Sequence, residues 1–228
     1  MANEPSFPPL TDELRTVYDH DPRSIYGEEA IYRVYRDGKP IGLHSVGFKR
    51  YDSDLFVEVD SSLAVRALGV TLYRYQYSAT EIWRNNELIS VETRIKDNRK
   101  AEKLISAKRQ DNKWIIKKGQ SKLRGAVLPD YVINHWHPGV LFAKRIYHPL
   151  HGRVYRGEPE DKGSETIKLE DGTFVDTRRF EYSAGFSADV WYDKDWRWVK
   201  LAFKADDDSQ IIYRCDRCRP EPLASSVE

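Results

Sequence analysis

Val70-Thr71-Leu72-Tyr73-Arg74-Tyr75-Gln76-Tyr77-Ser78-Ala79-Thr80-Glu81-Ile82-Trp83-Arg84 places an aromatic or small residue at almost every second position, and Asn85-Asn86 closes it. A helix would scatter Tyr73, Tyr75 and Tyr77 around its axis. A strand puts them on one face with Ala79, Glu81 and Trp83, because alternate side chains of an extended chain point the same way. Arg74, Gln76 and Thr80 take the other parity and suit solvent. The pair Asn85-Asn86 is turn chemistry.

The same rhythm extends on both sides. Upstream, Ile31 to Tyr35 runs into Asp37-Gly38, a strong two-residue hairpin signal, and Ile41 to Phe48 returns. Leu55 to Val59 follows a turn at Tyr51-Asp52-Ser53-Asp54. Downstream, Glu87 to Lys96, Lys103 to Lys108 and Lys113 to Lys118 are separated by Asp97-Asn98 and Asp111-Asn112. From Gly119 to His151 the meander breaks: Pro129, Pro138 and Pro149 separate apolar bursts, which predicts loops and one helical turn. Strands then resume at Val154, Glu165, Phe174, Phe186, Trp196 and Gln210.

About a dozen short strands with turn residues between them predict an all-β fold. We expect an antiparallel meander forming a barrel or a strongly curved half-barrel. A short N-terminal helix begins at Thr11 or Asp12, and one irregular interruption lies near Pro129. The expected organisation is an irregular segment over 1–28, a single β domain over 29–218 and a disordered tail over 219–228.

Composition fits that reading. Of 228 residues 40% are hydrophobic, enough for a substantial core, and 32% are charged. The mean hydropathy is −0.69. The 37 Lys and Arg nearly cancel the 36 Asp and Glu, which argues against a nucleic-acid partner, whose phosphates usually demand a basic excess. The densest basic stretch, Lys113 to Lys122, flanks Ile115 and Ile116 and reads as a solvated strand. No apolar run is long enough to span a bilayer as a helix. Met1-Ala2-Asn3-Glu4 reads as a start placed before an already processed N-terminus, so we expect that an export signal has been removed.

Two groups of residues invite a functional reading. The first is aromatic: the row of Tyr73, Tyr75, Tyr77 and Trp83, with Trp136 and with Trp191 near Trp196 and Trp198. Such a set can line a cavity for an apolar or amphipathic ligand, or it can simply fill a barrel. The second is histidine. His135-Trp136-His137 would aim both imidazoles to one side of a strand, and His148 and His151 follow closely. That spacing admits a metal, but the prolines make the segment a loop and no HExxH accompanies it. The elbow GxSxG and the phosphate loops GxxxxGK[ST] and GxGxxG do not occur. No catalytic residue, metal site or cofactor is therefore assigned.

Cys215-Asp216-Arg217-Cys218 follows a strand, not a helix start, so we expect a structural pair without a redox role. On a straight strand the two Cα atoms would lie roughly 10 Å apart. That exceeds the reach of a disulfide, so bridging requires a turn at Asp216-Arg217.

Several segments together carry a family resemblance. Ala30 to Gly42, Tyr73-Arg74-Tyr75, Glu81-Ile82-Trp83-Arg84, Asn134-His135-Trp136-His137-Pro138, Val190-Trp191-Tyr192-Asp193, Trp198-Val199-Lys200-Leu201 and Tyr213 resemble a family of proteobacterial envelope proteins known as a domain of unknown function. The resemblance covers roughly Glu29 to Arg214. It implies export, a periplasmic location and a curved antiparallel sheet distantly like the half-barrels of LolA/LolB lipoprotein carriers. The family supplies no catalytic residues. Together these readings lead to the expectation of a periplasmic binding or carrier protein for an apolar or amphipathic, lipid-like ligand. The alternatives are an enzyme acting on an envelope glycan or lipid through His135 and His137, and an accessory protein that binds an envelope protein partner.

Overall fold

The computed structural model describes residues 7–183 and 187–220. Met1-Ala2-Asn3-Glu4 and most of the expected disordered tail lie outside the described residues.

The chain opens with helices α1 (Asp12–His20) and α2 (Arg23–Tyr26). Eight strands follow: β1 (Glu29–Arg36), β2 (Lys39–Tyr51), β3 (Asp54–Ala67), β4 (Val70–Arg84), β5 (Glu87–Asp97), β6 (Lys103–Gln110), β7 (Lys113–Lys118) and β8 (Arg124–Ala126). A covering segment then carries β9 (Tyr131–Val132), a 3-10 helix (Pro138–Phe142) and β10 (Arg145–His148), and runs into β11 (Arg153–Arg156). Five more strands complete the fold: β12 (Glu160–Lys168), β13 (Phe174–Tyr182), β14 (Ala188–Asp193), β15 (Trp198–Lys204) and β16 (Gln210–Arg217).

Thirteen of the described strands form one antiparallel sheet in the order β12-β13-β14-β15-β16-β1-β2-β3-β4-β5-β6-β7-β8. The sheet is curved but not closed, with β12 and β8 as its edges. The expected all-β meander is what forms. Its tight turns follow from residues that accept a left-handed backbone: Asp37-Gly38, Asn85-Asn86, Asn98 and Asp111 all have positive φ. The β3–β4 turn breaks the pattern, because Leu68 takes φ 48° there before Gly69.

Two expectations need correction. The sequence predicts loops and one helical turn over Gly119 to His151 and a resumed meander strand at Val154, yet β9, β10 and β11 make a separate small sheet in which β9 and β10 run parallel. The interruption is therefore not a loop between two halves. It folds under the large sheet and fills it: Val132, Trp136, Val140, Leu141, Ile146 and Tyr147 are all buried in the same hydrophobic cluster as strand residues Val57, Val91 and Trp114. Its prolines and apolar bursts belong to a chain packed on several sides without regular pairing. The N-terminal segment also holds more order than one helix, since Tyr18 and Tyr26 are fully buried in that cluster. The Tyr26 hydroxyl donates to the Trp136 carbonyl and accepts from the Trp198 amide, tying helix, covering segment and sheet together.

Cys215 and Cys218 form a disulfide with Cα atoms 5.6 Å apart. The chain folds back at Asp216-Arg217, as the spacing demands, through a bulge at the end of β16: Ile31 faces Arg217 and Tyr32 faces Cys215, which leaves Asp216 as the extra residue. A bulge shortens the strand locally and brings the two thiols within reach.

Candidate functional site

Strand β4 carries the aromatic row across the inner face of the sheet. Tyr77, Ala79, Glu81 and Trp83 are buried, whereas Tyr73 and Tyr75, nearer the β3–β4 turn, are partly exposed. The opposite parity behaves as its polarity requires, with Arg74 and Gln76 exposed. Register fixes the neighbours: Tyr75 faces Leu63, Tyr77 faces Ser61, and Glu81 lies between Val57 and Val91. One row thus runs from a covered floor to a half-open mouth.

Glu81 is the centre of the floor and has no exposed surface. Its carboxylate accepts three hydrogen bonds. Trp83 Nε1 donates to Oε2 at 2.8 Å, Trp136 Nε1 to the same oxygen at 3.1 Å, and Asn134 Nδ2 to Oε1 at 2.5 Å. The Tyr77 hydroxyl donates to Asn134 Oδ1 at 3.3 Å, extending the network along the row. Burial pushes the Glu81 pKa up, opposed by the three donors, which favour the charged form. Among the described residues no cation is paired with it. Three aimed donors replace the water that a buried carboxylate loses. Glu81 was not singled out in the sequence, although a carboxylate on the apolar parity of a strand was the available signal.

The mouth is apolar. Val34, Leu63 and Ile211 are buried there, and Ile41, Tyr75, Phe203, Ala205 and Tyr213 pack against them only partly buried. At its rim the Tyr73 hydroxyl donates to Asp97 Oδ1 at 2.7 Å; burial and that carboxylate push the phenol pKa up to about 12. Beyond the rim the β3–β4 turn exposes Leu68 completely, with Val70 and Leu72 about three-fifths exposed.

The remaining predicted site residues divide between the two faces. Trp136 joins Trp83 edge-to-face at 5.8 Å and belongs to the floor. Trp191 does not come near it. Its parity is opposite to that of Tyr192, which donates to the His135 carbonyl inside. Trp191 packs on the outer side, where Nε1 donates to Glu165 at 2.5 Å and the Lys200 ammonium lies 3.8 Å from the ring centroid.

The histidines do not converge. His135 has φ 61° and His137 caps the 3-10 helix, so the strand geometry that would align their rings is absent. His135 packs against Trp198 and Tyr182. His137 accepts from the Gly139 amide through Nδ1 and faces Asp19 at 3.0 Å through Nε2. His148 and His151 stack on each other with ring centroids 4.1 Å apart. No group of three metal-ligating side chains occurs among the described residues.

Two clefts open elsewhere on the surface. One, of about 610 Å³, lies between β12 and β15–β16, where Glu170 already pairs with Arg214 at 3.0 Å and Arg33 at 3.6 Å. The other, of about 410 Å³, lies beside edge strand β8. Neither is lined by the aromatic row.

The family model "Domain of unknown function (DUF6134)" matches residues 32–216. A crystal structure described as a beta-barrel-like protein of domain of unknown function DUF1849 from Brucella abortus is similar in fold, with a TM-score of 0.57 at 10% identity, covering 82% of this chain and 94% of that one. No curated protein matches.

Proposed function

We infer that this chain, which belongs to the DUF6134 family of domains of unknown function, is a binding or carrier protein that takes an apolar or amphipathic, lipid-like molecule at the mouth of its curved sheet. The observation that carries the reading is the change along β4, from buried Tyr77 to partly exposed Tyr75 and Tyr73 among Ile41, Phe203 and Tyr213. Apolar surface left open beside a packed core is what a ligand or partner normally covers. Phenol groups at the rim give an amphipathic guest somewhere to place its polar end.

The floor confines binding to the mouth, since the covering segment already occupies the deeper face. Kinship with LolA/LolB-type carriers rests on the curved sheet alone and is fold-level analogy. The Cys215–Cys218 bridge supports an oxidising compartment such as the periplasm.

The test is a fluorescence titration of the six tryptophans with uncharged amphiphiles, a monoacylglycerol and a sterol. Trp198 reports on the mouth, because its ring lies 6.3 Å from that of Tyr213. A saturable change is expected, weakened about tenfold or more in Tyr75→Ala, as for an anchor aromatic. A flat response, or equal binding by Tyr75→Ala, contradicts the proposal.

A further inference from the structure

The cleft beside β8 gathers several cations in one place. Elsewhere the arginines are largely answered by carboxylates: Arg84 by Asp54 at 2.6 Å, Arg145 by Asp130 at 2.5 Å, Arg197 by Asp193 at 2.9 Å. Around this cleft stand Lys118, Lys122, Arg124 and Arg153, and no ion pair joins any of them to a carboxylate among the described residues. Lys103 adds a fifth positive charge, and its ammonium donates to the Leu150 carbonyl at 2.7 Å.

The cluster is built by the chain's own packing. The Lys118 ammonium donates to the His151 carbonyl, which fixes the turn before β11 against the end of β7. Gly152 sits directly on that contact at φ 55°, where an added Cβ would meet Lys118 Cε at 2.8 Å and Ile105 Cγ2 at 2.9 Å. A side chain here would displace Lys118 and Ile105, and the left-handed backbone itself favours glycine. The result draws Arg153 of β11 and Arg124 of β8 towards Lys118, and their charges, with burial as the larger cause, lower its pKa. Like charges held together without a counter-charge cost free energy that an anion recovers on binding. Below the cations the floor is apolar, formed by Ile116, Ala126 and Val154 between Gly125 and Gly152.

We propose that this cleft is a binding site for a phosphate-bearing molecule, with Lys118, Lys122, Arg124 and Arg153 holding the phosphate oxygens and Ile116, Ala126 and Val154 receiving an apolar part. Arg124 and Arg153 are suited to bidentate contact with phosphate, while the two lysines act as point charges. The site is separate from the mouth on β4 and does not depend on its reading.

Binding is measured by isothermal titration calorimetry at low ionic strength with two probes: inorganic phosphate, and a short-chain phosphatidic acid below its micellar concentration. The wild-type chain is expected to bind at least one of them, more weakly as salt is raised. Preference for phosphatidic acid assigns a lipid head group; equal affinity for both assigns free phosphate. The exposed double variant Lys122→Glu/Arg124→Glu is expected to lose about tenfold or more in affinity for the bound probe. Its thermal melt should match the wild type, and its uncharged-amphiphile titration at the mouth should be unchanged. Failure to bind either probe, or the same affinity in the folded double variant, overturns the proposal.

Discussion

Trp136, on the covering segment, places its indole Nε1 3.1 Å from Glu81 Oε2 on β4, the oxygen that Trp83 already holds at 2.8 Å. One carboxylate thereby fastens the segment that fills the sheet to the sheet itself. Removing it orphans three buried donors at once. Glu81→Ala is expected to destabilise the chain by about 3 kcal/mol or more, because each unsatisfied buried donor is costly. Glu81→Gln costs less, about 1–3 kcal/mol, since its amide presents a donor to one of the three existing donors. Urea unfolding followed by circular dichroism checks both, and an Ala variant as stable as the wild type would contradict this role.

His44 and His135 predict an acid-sensitive fold. Both lie against the Trp198 ring, at centroid distances of 5.5 Å each, and burial lowers both pKa values from 6.5 to about 3. Between those values the unfolded chain takes up protons that the folded chain refuses. Stability is therefore full above the ordinary histidine value and lost as pH falls towards about 3. The loss approaches about 1.4 kcal/mol per pH unit for each ring. His135→Asn, which tolerates the left-handed backbone, should show a shallower slope by about one proton. Urea midpoints measured from neutral pH down to about pH 4 decide it, and parallel slopes would contradict the assignment.

Leu68 should improve on replacement. A branched side chain at φ 48° is strained, and here it is fully exposed, so nothing is lost by removing it. Leu68→Asn is expected to raise stability by about 1 kcal/mol, the cost of a left-handed conformation for an ordinary residue. A thermal melt that shifts downward would show that Leu68 makes contacts its exposure denies.

The disulfide should contribute modestly. Its short loop predicts roughly 2 kcal/mol from chain entropy. Cys215 and Cys218 are bridged, so protein made in an oxidising compartment should resist alkylation even when unfolded, as long as no reductant is added. It should also melt at a lower temperature once reduced. Free thiols in the unreduced, unfolded chain would contradict the pairing.

The sheet was readable because its signals are local: a two-residue period, and Asp-Gly or Asn-Asn at the turns. The parity of Tyr77, Glu81 and Trp83 came from the same rule, which correctly put them on one buried face. The covering segment was not readable. Val132, Trp136 and Tyr147 earn their burial from contacts with strands distant in the chain, and no periodicity records that. HxH spacing aligns two rings only on a strand, and in this proline-flanked segment His135 adopts a left-handed turn instead. Trp191 resembles Trp136 in composition alone; pairing register, with Trp191 opposite Lys200, assigns it to the outer face. The basic cleft joins Lys118 and Arg153 across a fold-back, so the stretch Lys113 to Lys122 read by itself looked only like a solvated strand.

Binding at the mouth is tested most directly by photo-crosslinking with an uncharged monoacylglycerol carrying a diazirine in its chain, followed by peptide mapping. The account predicts adducts on Ile41, Tyr73, Tyr75, Phe203 and Tyr213, suppressed by excess unlabelled monoacylglycerol. Adducts that fall instead on the outer face around Trp191, or that excess competitor does not suppress, would contradict it.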